Sequence, residues 1–273
     1  MYKPVIRKLC LVFILGLLYI PTNGQEKKIV INYNGVPGGP REELYPNPAG
    51  DALVTPSGFG STIPFVFGYL GGTLPAAYSK KSDLLASVGF GVGNSRRNVG
   101  VVAAVNMIDV SKFNNFSGSF GLYRQLGQGT SLSIGGFNLF ANQDPKYAND
   151  EASYYAVISH ASQTIKSKMP GYSGLTYGIG VGIGVFFLKS VQDSISGKGE
   201  RGTLLFANVA YEVFKGVNAI VEWDGMNLSV GAGIRPSFKW PLINIGVSDL
   251  TTFSGSGPRF VFGLAHSLAF SKH

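Results

Sequence analysis

Between Gly174 and Leu188, large apolar residues hold every second position: Leu175, Tyr177, Ile179, Val181, Ile183, Val185 and Phe187. Thr176, Gly178, Gly180, Gly182 and Gly184 fill the positions between them, followed by Phe186. Alternate side chains of a β-strand point to opposite faces, so this is a strand with one greasy face and one nearly bare. About fourteen residues is longer than an ordinary soluble strand of ~5–6 and enough to cross a bilayer at a tilt. A phosphate-binding loop would need a strand before the glycines and a helix after them, whereas here glycine alternates with branched residues throughout. The stretch reads as one stave of a membrane barrel.

The N-terminus bears on the compartment. Lys3, Arg7 and Lys8 precede an apolar run from Leu9 to Ile20, and Pro21-Thr22-Asn23-Gly24 offers small residues for cleavage before Gln25. This is the layout of a secretory signal peptide over residues 1–24, with an apolar core too short for a membrane helix. Cys10 is the only cysteine, but it opens the apolar run behind Arg7-Lys8-Leu9, which excludes a lipoprotein signal. The mature chain is then without cysteine, so it forms neither disulfides nor thiolate metal sites.

No other segment approaches 18 consecutive apolar residues, so the chain is expected to be exported and then either soluble or inserted as a barrel. Composition favours the barrel: 38 glycines, 19 Phe and 13 Tyr accompany charged residues at only 14%. A soluble protein of this size carries roughly 25% charge. Removing Lys3, Arg7 and Lys8 lowers the formal charge from +8 to +5. That excess is modest and unclustered, and no basic stripe interleaves with aromatics, which argues against a nucleic-acid partner.

Residues 25–56 are of different material, punctuated by Val36-Pro37-Gly38-Gly39-Pro40, Tyr45-Pro46-Asn47-Pro48 and Thr55-Pro56-Ser57-Gly58. Proline at this density does not sit in central strands, so the segment is an extended Pro/Gly-rich arm, with one short strand expected within Lys28–Asn34. Two placements are open: a solvated periplasmic tail, or a segment folded into the barrel lumen.

From residue 57 to 273 the chain is a series of alternating segments separated by turn residues, the pattern of an outer-membrane barrel. About twelve strands are expected, near 59–71, 83–93, 97–109, 115–125, 130–141, 152–164, 174–188, 203–214, 217–224, 227–238, 241–250 and 259–270. The fold class is therefore all-β, a transmembrane antiparallel barrel preceded by the arm. Faces agree from strand to strand: Leu84, Ala86, Val88, Phe90 and Val92 oppose Ser87, Gly89 and Gly91, and Leu228, Val230, Ala232 and Ile234 oppose Asn227, Ser229, Gly231, Gly233 and Arg235. Apolar outside with small or polar inside is the membrane arrangement; a soluble barrel reverses it. Tyr69, Tyr123, Tyr172, Trp223 and Trp240 fall near strand ends and are expected as interfacial aromatics.

Two stretches carry a resemblance. The last strand, Val261–Phe270 (VFGLAHSLAF), is similar to the C-terminal signal by which outer-membrane barrels are recognised for assembly, with Phe262, Leu264, Leu268 and Phe270 as its apolar positions. It departs from that signal in carrying Ser271-Lys272-His273 beyond the aromatic and in the place of its glycine. Val221–Pro236 (VEWDGMNLSVGAGIRP), together with Pro56–Gly60 (PSGFG), resembles a hairpin of bacterial barrel proteins, some of them associated with exopolysaccharide export. The resemblance implies outer-membrane lipid and the barrel assembly machinery as partners, and an envelope protein as a third.

Catalytic chemistry finds little to build on. The histidines are His160, His266 and the terminal His273. None sits in a pattern that unites serine, histidine and a carboxylate, and no His/Asp/Glu cluster has metal spacing. The expectation is a non-enzyme without cofactor or metal. His266 shares the apolar face of Phe262, Leu264 and Phe270, where a polar group costs free energy unless it finds a partner. Glu222 and Asp224 alternate with Val221 and Trp223, Asn208 and Glu212 share the inner face of the strand before, and Asn227 and Arg235 follow. These six are the lumen-lining candidates. Opposed charges there either tune a pore or staple the wall. The connections 142–151, 165–173 and 189–202 are expected to be too short for lids. The functional expectation is a small passive channel or export-associated pore for polar solute, with an accessory barrel of a larger envelope complex as the alternative.

Overall fold

Alternation of branched or aromatic residues with glycine and serine dictates strands throughout, and turn residues set their ends. The structure, a computed structural model, describes residues 43–78, 83–110, 114–141 and 152–270. The expected signal peptide, the first part of the arm and His273 lie outside these residues, as do the short strand expected near 28–34 and the 142–151 connection. Twelve strands follow one another: β1 (Phe65–Leu74), β2 (Asp83–Gly93), β3 (Gly100–Asp109), β4 (Asn114–Gly127), β5 (Thr130–Leu139), β6 (Ser153–Ala161), β7 (Leu175–Ile183), β8 (Leu205–Phe214), β9 (Val217–Trp223), β10 (Leu228–Ile234), β11 (Leu242–Ser248) and β12 (Arg259–Ala269). Each pairs antiparallel with its neighbours, and β12 pairs with β1 to close the ring. Closure removes every sheet edge.

A meander of this kind puts connections alternately at two rims. The rim where β1 begins and β12 ends, here the terminal rim, carries the connections after β2, β4, β6, β8 and β10. The opposite, far rim carries those after the odd-numbered strands. One helix of five residues, α1 (Val191–Ile195), lies in the far-rim connection between β7 and β8, opened by a capping box of Ser190 and Asp193.

Ten strands lie where alternation placed them, to within four residues at each end. The first does not. β1 begins at Phe65, and residues 57–64, expected as the start of the barrel, continue the arm. A second correction concerns the stretch that opened the sequence reading. β7 stops at Ile183 because Gly184 adopts φ +74°, and the amides of Phe187 and Leu188 turn back onto its carbonyl. Phe186 then leaves the alternation and stacks on Phe206 inside the wall, ring centroids 4.6 Å apart. Together with Val157 they form a buried apolar cluster in the interior.

The two faces of the wall separate cleanly. Val88, Val105, Ile179 and Val209 stand exposed on the outside. Ser133, Ser153, Ser159, Asn208, Asn218, Glu222 and Ser229 are buried on the inside. Branched apolar side chains are outward and small or polar ones inward, with a set of aromatics that includes Phe67, Phe137 and Phe206 turned in as well.

Candidate functional site

The interior holds the arm. Glu43 and Leu44 sit at the terminal rim, where Glu43 pairs with Arg96 at 2.7 Å and accepts from the amide of Gly129 and the side chain of Gln125. Gln163 clamps Leu44 from both sides, donating to its carbonyl and accepting from its amide, each at 2.9 Å. The chain then descends along β8 to β11. Asn218 donates to the Gly50 carbonyl at 2.6 Å, and Asn208 donates to the Thr55 hydroxyl at 3.0 Å. Glu222 gathers the tip: its carboxyl oxygens accept from the amides of Leu53 (3.0 Å), Val54 (2.8 Å) and Thr55 (3.4 Å), and from the Thr55 hydroxyl (3.0 Å). The return leg bonds through the Gly58 amide to Ser159 at 2.9 Å and reaches the terminal rim again at Ser61, whose carbonyl accepts from Ser95. The arm is thus a re-entrant loop inside the wall, which decides between the two placements for residues 43–64.

Glycine makes the fit. A Cβ on Gly233 would run into the carbonyl oxygen of Ala49, and one on Gly231 would lie 2.9 Å from the Leu53 side chain. Buried backbone amides need partners, and the inner-face polar residues supply them.

The six expected lumen residues divide by what they hold. Asn208 and Glu222 bind the arm. Glu212 faces inward near the terminal rim and accepts from the amides of Lys168 (2.7 Å) and Gly216 (3.2 Å), fixing two connections there. Asp224 and Asn227 are not on the lumen wall: they belong to the tight far-rim turn between β9 and β10. Asp224 accepts from the amides of Met226 and Asn227; burial pushes its carboxyl above the ordinary value, the two amides opposing. Asn227 donates to Asp249 and to the Ser254 carbonyl. Among the described residues Arg235 pairs with no carboxylate. It lies at the terminal rim, donates to the carbonyls of Trp240 (3.2 Å) and Phe238 (3.4 Å), and stacks over the Phe238 ring.

The aromatics divide as well. Trp223 and Trp240 face outward or into solvent at opposite rims, Trp223 donating to Thr203. Tyr172 lies in the connection after β6, its ring 5.6 Å from that of Phe238. Tyr69 and Tyr123 are corrections: both point inward, Tyr69 against Gly71 and Gly263, and Tyr123 against Gly60 and Gly121. Position near a strand end drew attention to them, but the parity of their strands turns them in. On β12, Phe262, Leu264 and Leu268 are outward, and the amide of Phe270 donates to Pro64 at 2.8 Å where the ring closes. His266 is exposed beside Gly68 on the outward face. His160 is outward too, with its Nδ1 2.8 Å from the Thr130 hydroxyl and its ring near Tyr177. No group of three metal-binding side chains occurs among the described residues.

The far rim carries a knot that alternation does not reveal. Asp193 of α1 accepts from the Tyr78 hydroxyl, from Ser254 Oγ (2.8 Å) and from the Gly255 amide (2.8 Å), besides its own cap. Tyr78 follows β1, and in a ring of twelve the connections after β1 and β7 are diametrically opposed. The β7–β8 connection, expected to be too short for a lid, therefore spans the mouth. Lys189 and Lys198 fasten it further, donating to the carbonyls of Phe253 (2.9 Å) and Gly255 (2.5 Å). Burial raises the Asp193 carboxyl, but its donors, Tyr78 foremost, outweigh that and hold it below the ordinary carboxylate value.

No family model and no curated protein matches the chain. The barrel stands on its own geometry: a closed ring of twelve antiparallel strands with a loop inside it and a bridge across one mouth.

Proposed function

We propose that the chain is an outer-membrane barrel whose passage is shut at rest, acting as an accessory or structural barrel of the cell envelope. The membrane placement is supported by one observation above others: large apolar side chains cover the outward face while serines, asparagines and glutamates are buried within. Such a barrel satisfies every backbone group between its strands and offers lipid an apolar surface. The signal-like N-terminus and the likeness of β12 to an assembly signal point the same way. The shut state is supported by the arm on Glu222 and the Asp193 bridge: Glu222, expected to line a pore, holds the arm's backbone, and Asp193 fastens the connection that crosses the mouth.

The channel reading keeps one observation in its favour. Beside the arm lie two cavities of about 340 and 260 Å³, both bordered by Val54. Withdrawal of the arm would join them.

Boiled and unboiled samples of the outer-membrane fraction are expected to differ in gel mobility, as folded barrels do. A soluble protein without a shift would overturn the membrane placement. In a planar bilayer the wild-type chain is expected to be silent. Discrete conductance steps from it would replace the accessory reading with the channel one.

A further inference from the structure

The arm leaves part of the lumen open. Its descending leg is hydrogen-bonded by β8 and β9 and packs on β10, and its return leg bonds to Ser159 of β6 and passes Tyr123 of β4. The larger cavity lies between the arm's tip and β1 and β3 to β6. Phe67, Ala104, Tyr123, Phe137 and Tyr155 line that chamber from the wall, and Val54 closes it from the arm. Val54 is itself notable. Glu222 holds its amide at 2.8 Å, yet the residue is 48% exposed and borders both cavities.

The lining specifies a chemistry. It contains no Lys, Arg, His, Asp or Glu, and an unpaired charge carried into such a space meets a large desolvation cost. Its rings are already arranged for aromatic contact: Phe137 lies 6.3 Å from Tyr155 and meets Phe186 edge-on at 5.8 Å. Offset and edge-to-face geometries of this kind extend readily to a further ring. Ser119 adds a polar handle. It accepts from Asn106 at 3.3 Å, which leaves its own hydroxyl proton to donate. About 340 Å³ is the lower end of ligand-pocket size.

We propose that this chamber is a binding site for an uncharged, flat molecule of one or two rings bearing a hydrogen-bonding substituent. The ring stacks among Phe67, Tyr123 and Tyr155, and the substituent meets Ser119. The site rests on the lining of the chamber and holds whether or not the barrel ever conducts.

The test uses 4-fluorophenol, neutral at pH 7, titrated into the full chain in detergent micelles and followed by fluorine NMR against protein-free micelles. One saturable site per chain is expected. Ala104→Phe fills the chamber from the wall and Val54→Phe from the arm, and each is expected to weaken binding by at least about tenfold, or ~1.4 kcal/mol. Unchanged gel heat-modifiability identifies the variants that fold. A wild-type signal indistinguishable from micelle partitioning would overturn the proposal, and so would equal binding by a folded variant. Bilayer silence or conductance moves neither outcome, so failure here is distinct from failure of the accessory reading.

Discussion

The two sides of the lumen are lined by different residues because they face different things. Where the arm runs, the wall offers Asn208, Asn218, Glu222, Ser159 and the glycines of β10, since a backbone brought indoors needs partners and room. Where the cavity lies, the wall offers Phe67, Phe137 and Tyr155, with Tyr123 shared between the cavity and Gly60 of the arm's return leg. An interior is thus composed for its contents: hydrogen-bonding side chains and bare Cα atoms for chain, rings for space. Reading inner-face residues as either polar or apolar misses this. What separates the two sides is whether polar groups are spaced to meet consecutive amides.

The sharpest way to break the contrast is Glu222→Ala. It strips acceptors from three amides and a hydroxyl, and each buried unsatisfied donor costs about 1–3 kcal/mol. A loss of about 3 kcal/mol is expected, read as a lower midpoint of the heat-dependent band shift, with proteinase K now cutting within residues 43–64. Phe67→Ala on the opposite side borders existing space and is expected to cost less, about 2 kcal/mol, with the arm still protected. If both variants released the arm equally, the division of the lumen would fall.

Gly233→Ala is the next test, by crowding instead of deletion. Its Cβ meets the backbone oxygen of Ala49, so about 1–3 kcal/mol of strain and partial arm release are expected. Gly68→Ala, on the outward face with nothing within 4 Å, is the matched control and is expected to leave the midpoint unchanged.

Acid sharpens the comparison of rims. The Asp193 carboxyl is held below its ordinary value, so its stabilising contribution is full above the unfolded carboxylate pKa of ~3.9 and is lost as pH falls through the lower folded value. Proteolysis of the 184–204 connection is expected to rise only in that acid window, and Asp193→Asn to remove the transition and leave the loop cleavable at neutral pH. Arg235→Ala is expected to have the smallest effect, within about 0.5 kcal/mol. Among the described residues its guanidinium bonds carbonyls of its own connection alone.

The wall was legible because period-two alternation is a local property, and each strand declares its faces without reference to any other. β2, β9 and β11 show how closely the boundaries follow. Contents are not local. Glu222 reaches Val54 across 168 positions and Asp193 reaches Tyr78 across 115, and no window of sequence contains both partners. The inward turn of Tyr69 and Tyr123 was legible in principle from strand parity, which outranks nearness to a strand end. The end of β7 was not: the alternation continued past Gly184, where one positive φ ended the strand.

The loop inside the wall enters and leaves by a single mouth, for Glu43 and Ser61 both bond to residues of the terminal rim. It is therefore not threaded. A segment running from one mouth to the other would have to be in place before the ring closed, whereas this one can be inserted last, after β12 has met β1. The topology thus allows the hoop to close first and the tongue to seat afterwards, and allows the tongue to be withdrawn without undoing the hoop.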